Sequence, residues 1–285
     1  MTTPLTYTDE ARFEDDVVAM LHRHGWDEVL DRPTERQLIE NWAEILYNNN
    51  RDQDRLGDVP LTSTEMDQII EQITELRTPL LLNEFINGRS VAITRDAPEA
   101  HNLGKEVSLK IYDRREIAGG QSCYQIARQP KFSTAAHKLM PERRGDLMLL
   151  INGMPVIHLE LKRSGVPVSQ ATNQIIKYAH EGVYTGLFSL VQIFVAMTPT
   201  ESLYFANPGP GGKFNPDFFF NWADFNNEPI NDWPAVVTSL LSIPMAHQLI
   251  GFYTVTDRAA GVLMVMRSYQ YFAAVSYTHL TLPTS

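Results

Sequence analysis

The sequence predicts an α/β fold in which a mixed central sheet is flanked by helices and preceded by a mainly helical N-terminal portion. Three observations carry this expectation. The first 88 residues hold several stretches of helical apolar periodicity, each opened by a start signal. Two apolar runs, LMLLI from Leu147 and VIHLELK from Val156, lie either side of a tight-turn pair, Asn152-Gly153. An amphipathic stretch carrying Gln170, Gln174 and Tyr178 follows at once, and another buried-strand run comes after it, Leu190 to Met197. Strands interleaved with helices give layered α/β architecture.

Taken in order, Thr8-Asp9-Glu10 opens a first helix whose apolar face is Phe13, Val17, Val18, Met20 and Leu21, ending near His24-Gly25. A second helix runs from Arg36 to Asn48. A third starts at Thr62-Ser63-Thr64-Glu65 and buries Ile69, Ile70, Ile73 and Leu76, and helical pattern continues from Leu80 to Gly88. Val107 to Tyr112 alternates as a strand until Asp113-Arg114-Arg115, and Cys123 to Gln129 forms the next, ended by Pro130. In the hairpin, Val156, His158, Glu160 and Lys162 share one face of the second strand, and Ile157, Leu159 and Leu161 the other. Beyond Met197, Ser202 to Ala206 reads as a neighbouring strand across Thr198-Pro199-Thr200. The glycine-rich loop Asn207–Lys213 fails as a phosphate loop, because Phe214 stands where Ser or Thr must follow the lysine. Phe218, Phe219, Phe220, Trp222 and Trp233 either bury against the sheet or offer faces for base stacking. The expected divisions are a helical portion over 1–100, a core over 101–235, a connector over 236–274 and a tail over 275–285.

Composition bounds the function. A lone cysteine, Cys123, excludes an internal disulfide and a thiolate metal cluster, which suits a reducing cytoplasm. The first residues lack a basic and apolar leader, and no run reaches the ~18 apolar residues of a membrane span. The net charge of −10 argues at first against a nucleic-acid partner, but it is uneven. Residues 1–100 carry 21 Asp and Glu against nine Arg and no Lys, whereas residues 128–177 carry eight cations, Lys138 among them, against Glu142, Asp146 and Glu160. That local +5 can meet phosphates.

The cations overlap the candidate chemistry. A charge at the end of an otherwise buried strand is costly unless paired or bound to metal. Asp146 and Glu160 can together hold a hard divalent cation such as Mg²⁺, and Lys162 can orient or polarise an attacking water. A plain Glu–Lys pair capping an edge strand is the other reading of Glu160 and Lys162. Gln170, Gln174 and Tyr178 stand at i, i+4 and i+8, on one helix face. His137 and His158 read as structural rather than catalytic. Glu14 is either a candidate third carboxylate or part of a solvated face with Asp15 and Asp16.

Asp-(x13)-Glu-x-Lys, from Asp146 to Lys162, resembles the signature of the PD-(D/E)XK nucleases, with Gly145 where the name-giving proline often stands. The string Asn152-Gly153-Met154-Pro155 leading to Glu160-Leu161-Lys162, followed by Gln174-x-x-x-Tyr178, resembles the nuclease region of the restriction (R) subunit of type I restriction–modification enzymes. Two more stretches resemble it: EVSLKIYDRREIAGGQSCYQIARQ, which in the family leads into the catalytic sheet, and Met266 to Ala273, which there introduces a helicase-like motor. The resemblance implies a PD-(D/E)XK restriction-endonuclease-like core cleaving double-stranded DNA with Mg²⁺. It implies Asp146 and Glu160 as metal ligands, with Glu14 a candidate third, Lys162 as the water-orienting cation and Gln174 and Tyr178 as a positioning pair. Arg143, Arg144, Arg163 and Lys177 become the candidate DNA contacts. Methyltransferase and specificity subunits are the implied partners, the cytoplasm the implied location, and ATP enters only through the motor, whose motifs do not follow. The segment from Val275 shows no further helical or alternating pattern and reads as a foreign tail. A non-catalytic DNA- or subunit-docking module with a retained nuclease fold, or another PD-(D/E)XK nuclease of DNA repair, are the rival expectations.

Overall fold

The structure is a computed structural model that describes residues 6–88, 90–115, 122–132, 143–209, 212–257, 259 and 261–281. His137, Lys138 and Glu142, together with residues 210–211 of the glycine-rich loop and 282–285 of the tail, lie outside these. Helix α1 (Glu10–Arg23) is capped by Asp9, whose carboxylate accepts from Ala11 N, and it buries Phe13, Val17 and Leu21. Helices α2 (Glu35–Asn49) and α3 (Ser63–Glu75) both open on a capping box, Thr34 with Gln37 and Thr62 with Glu65. Helix α4 spans Pro79–Asn87.

The central sheet has six strands: β1 (Glu28–Asp31), β4 (Tyr124–Arg128), β7 (Leu147–Ile151), β8 (Met154–Leu161), β9 (Ile193–Thr198) and β10 (Glu201–Ala206), adjacent in that order. Pairs β1–β4 and β8–β9 are parallel and the other three antiparallel, so the sheet is mixed as expected. Strands β7, β8 and β9 are buried at every residue, which explains their continuous apolar runs. The β8–β9 crossover is helix α5 (Val168–His180), packed on β8, β9 and β10, while α1 packs on β8.

Some elements depart from expectation. Strand β1 lies within the stretch expected to be helical and forms one edge of the sheet. Its residues, EVLD, are too few and too polar to reveal a strand; parallel pairing with β4 defines it. Of the stretch expected to lead into the main sheet, β4 joins that sheet, whereas strand β3 (Glu106–Lys110) pairs with β2 (Ser90–Thr94) in a separate hairpin. Alternation shows that a strand is half-buried but not which strand it joins. Leu190 closes a 3₁₀ turn, Gly186–Leu190, so β9 starts three residues later than the apolar run. Short strands β5 (Lys131–Phe132) and β6 (Arg143–Arg144) pair with one another beside the site.

The C-terminal third adds α6 (Trp233–Ser239), α7 (Met245–Phe252), the hairpin β11 (Thr254–Asp257) with β12 (Val262–Val265), and α8 (Ser268–Thr281). Helix α8 runs through Ala274 to Thr281, which corrects the expectation of no helical pattern there. In the aromatic segment Trp222 and Trp233 are buried, whereas Phe218 is 49% exposed.

Candidate active site

The turn between β7 and β8 fixes everything that follows. Asn152 and Gly153 both have positive φ, 52° and 82°, as a primed two-residue turn requires. Asn152 accepts from Cys123 N at 2.8 Å and donates to Ile111 O at 3.2 Å, tying the turn to its surroundings. A Cβ on Gly153 would sit 2.9 Å from Trp42 Cα, so α2 approaches as closely as glycine permits. Pro155, which has no N–H to give, stands where the β7–β8 ladder shifts register. Beyond that shift Met148 faces His158 and Leu147 faces Leu159, which brings Asp146 beside the end of β8.

There Asp146 Oδ2 accepts from Leu161 N at 2.7 Å. Lys162 N donates to Met197 O at 2.9 Å, holding the lysine to β9 just past the strand end. The Lys162 ammonium donates to Leu161 O at 2.9 Å and lies 3.4 Å from Glu160 Oε1. Asp146, Glu160 and Lys162 therefore converge as the sequence predicted. Glu160 is fully buried, and its Oε2 has no hydrogen-bond partner. Burial pushes the Asp146 carboxyl up to about 8, with the charge of Glu160 adding to the rise. Burial likewise lifts Glu160 to about 7 against the opposing pull of Lys162. Two desolvated carboxylates beside one ammonium call for a proton or a cation.

Two buried carboxylates side by side fit Mg²⁺, which takes oxygen ligands and retains several waters. Among the described residues no group of three or more His, Cys, Asp or Glu gathers for a metal, so the protein's donor set would be Asp146 and Glu160. Glu14 is also buried, but its carboxylate is held by Arg128 and accepts from Gln129 at 3.1 Å. Burial raises its pKa, Arg128 opposes this, and the charge of Asp146 is felt at Glu14. It thus lies near the pair without presenting a free carboxylate.

Gln174 Nε2 donates to Tyr178 Oη at 2.7 Å, and Tyr178 Oη donates to Arg144 O at 2.8 Å. The glutamine–tyrosine pair thereby holds the backbone two residues before Asp146. Gly145 lies between them, and a Cβ there would fall 2.7 Å from His158 Nε2 and 2.8 Å from Phe132 Cζ. Here glycine, not proline, leaves room for a buried imidazole. His158 is fully buried, and burial lowers its pKa to about 4, so it is neutral.

The expected DNA contacts are spread differently from what local charge suggested. Arg143 is engaged by Glu181 through two bonds, 2.9 and 3.0 Å, and Lys177 lies 4.0 Å from the same carboxylate. Arg144 donates to Gln129 O at 2.8 Å, and Arg163 is exposed. Glu181 lies just past the stretch that gave the surplus of positive charge, which is why the surplus looked freer than it is.

Sequence reasoning missed Glu10, whose Oε2 lies 3.9 Å from Lys162 Nζ, and Tyr184, which is bonded to His158. The i, i+4 spacing of Glu10 and Glu14, one face of α1 turned to the site, was the available signal. Reciprocal bonds of 3.0 Å between Tyr7 and Ser164 draw this end of the chain against the loop after Lys162.

Comparison with known proteins gives consistent relatives. The family described as type I restriction enzyme R protein N terminus matches residues 7–213. A type I restriction enzyme endonuclease subunit of Staphylococcus saprophyticus is 29% identical over 99% of this chain and 28% of its own length. One from Staphylococcus aureus is 28% identical over 94% of this chain and 27% of its own. An endonuclease subunit of the EcoprrI type I enzyme of Escherichia coli is 35% identical over 93% of this chain and 80% of its own. The chain thus spans little more than a quarter of the length of the staphylococcal relatives.

Proposed function

This chain belongs to the family of type I restriction enzyme R protein N termini, and from that premise we propose that it is the Mg²⁺-dependent endonuclease module of an R subunit, hydrolysing phosphodiesters of double-stranded DNA. The observation that supports the reading is the convergence of Asp146, Glu160 and Lys162 at one strand end, two buried carboxyls beside one ammonium. Asp146 and Glu160 would hold Mg²⁺, which when bound supplies Lewis-acid stabilisation of charge on the phosphate and acidifies a bound water. Lys162 holds its ammonium beside Glu160, where it orients the attacking water and offsets charge as the phosphate oxygens become more negative. The attacking water gives up a proton to solvent as its oxygen joins phosphorus, the bond to the leaving oxygen breaks, and that oxygen takes a proton from solvent and departs as a hydroxyl. Gln174 and Tyr178 fix the backbone ahead of Asp146 and so the distance between its carboxylate and Glu160. Glu14 contributes charge near the pair and keeps Arg128 in place.

Beyond the module, the reading assigns ATP to a helicase-like motor elsewhere in the subunit. Methyltransferase and specificity subunits are its partners, and the cytoplasm is its location. No described helix is long and apolar enough to cross a membrane. On this reading, the helical portion over 1–100 packs on a nuclease core over 101–235, and 236–274 connects to the motor. Sequence recognition belongs to the partners, with Arg143, Arg144, Arg163 and Lys177 meeting only backbone phosphates.

Incubating plasmid with the assembled enzyme, with Mg²⁺ or with chelator, tests the proposal. Metal-dependent linearisation that disappears in Glu160→Ala is expected. DNA retained but never cut, with the motor still hydrolysing ATP, would assign the fold to docking instead.

A further inference from the structure

Glu160 Oε2 and His158 Nε2 are both buried, neither has another hydrogen-bond partner, and they face each other at 3.4 Å. The other imidazole nitrogen, Nδ1, is 2.8 Å from Tyr184 Oη. Burial raises the Tyr184 phenol well above its usual range, so its oxygen carries a proton to donate. With Tyr184 donating to Nδ1, the ring's proton is on Nε2, aimed at the carboxylate. The opposite tautomer would set an imidazole lone pair against a carboxylate oxygen. Tyr178 stacks on the ring at 6.2 Å and 18°, and Phe132 and Phe194 meet it edge-on, so the imidazole is wedged in place. Gly145 supplies the space, since a side chain there would displace Nε2.

We propose that His158 is a positioning residue for the cation site: its Nε2–H holds the inner oxygen of Glu160, leaving the outer oxygen toward Lys162 and the metal, and Tyr184 fixes the tautomer that makes this possible. Bonds of this kind are commonly long before a site is filled and shorten when it is. The Gln174–Tyr178 pair then serves both carboxylates, one through the Arg144 backbone and the other through the stacked imidazole. This inference rests on the reading of Asp146 and Glu160 as cation ligands.

Two measurements on the full chain test it. In ¹⁵N-resolved spectra of metal-free protein, His158 is expected to be protonated at Nε2, and Tyr184→Phe to shift it toward a tautomer mixture. A ring protonated at Nδ1 overturns the proposal. In Mn²⁺ titrations, His158→Phe should weaken binding about 10–100-fold, as loss of an outer-shell partner does. His158→Gln, whose amide N–H reaches the same oxygen, should recover most of it. Equal affinity in wild type and His158→Phe overturns the proposal, and so does equal weakening in the Phe and Gln variants. If His158→Phe does not fold, Tyr184→Phe carries the binding arm, with a smaller loss expected and unchanged affinity counting against the proposal. Glu160→Gln monitors the underlying reading. If it binds Mn²⁺ as tightly as wild type, the metal assignment falls, and the tautomer alone decides the role of His158.

Discussion

Replacing Gly145 by alanine isolates the steric half of this arrangement. The added methyl would stand 2.7 Å from His158 Nε2, 2.8 Å from Phe132 Cζ and 3.3 Å from His158 Cε1. The first two distances are shorter than real Cβ contacts, and the obstructing atoms belong to rings that are 0% and 2% exposed. Neither ring has open space to move into, so the substitution behaves as core overpacking, costing about 2–3 kcal/mol. That corresponds to a fall in thermal midpoint of about 3–5 °C for a chain of this size. Proline at the same place should cost more, since it also removes the Gly145 N–H bond to Pro130 O at 3.3 Å. Adding His158→Ala to Gly145→Ala opens the blocked space, so the double variant should lose less than the two single losses combined, by about 1 kcal/mol or more. Calorimetric or dichroism melts of the four proteins give the cycle. If Gly145→Ala melts with the wild type, or the two losses simply add, the glycine does not make room for the imidazole.

Because burial raises Asp146 to about 8 and Glu160 to about 7, the folded metal-free protein binds more protons than the unfolded chain above pH 4. Its stability should fall as pH rises through 7 to 8, and Mg²⁺ should reverse the fall; urea melts at pH 6 and pH 9, with and without the ion, check this, and a flat profile counts against it. Tyr178→Phe removes the bonds to Arg144 O and from Gln174, so it should cost about 1 kcal/mol in a denaturant melt and lower cleavage more than DNA binding. Arg163→Ala should weaken duplex binding evenly across sequences and reduce the salt slope by about one. Arg143→Ala, whose guanidinium is already held by Glu181, should change the slope less, and fluorescence titrations at two salt concentrations separate the two.

The central hairpin was legible because its two apolar runs are continuous and its turn needs residues that only a few side chains can replace. The Gln174–Tyr178 face was legible from helical period alone. What the pair touches was not, because the Arg144 carbonyl is a backbone group that no side-chain pattern reports. Pairing was also hidden: alternation at 107–112 marked a strand, yet its partner proved to be β2 rather than the main sheet. Strand β1 carries two acids and exists through its parallel neighbour β4. Glu181 answers Arg143 across 38 residues, and Tyr184 answers His158 across 26, separations at which local sequence gives no geometric information. The residues expected to carry chemistry were found together at one strand end. Their supporting partners, Glu10, Arg128, Gln129 and Tyr184, came from the tertiary fold.

On the proposed function, Asp146, Glu160 and Lys162 act as one catalytic unit. The direct measurement is DNA cleavage by the assembled enzyme carrying alanine at each position singly and at all three together, alongside ATP hydrolysis by the same preparations. Each single variant is expected to lose cleavage almost as completely as the triple, with ATP hydrolysis intact, because groups that act together are strongly non-additive. Cleavage retained by Glu160→Ala, or losses that accumulate independently from one residue to the next, would contradict it.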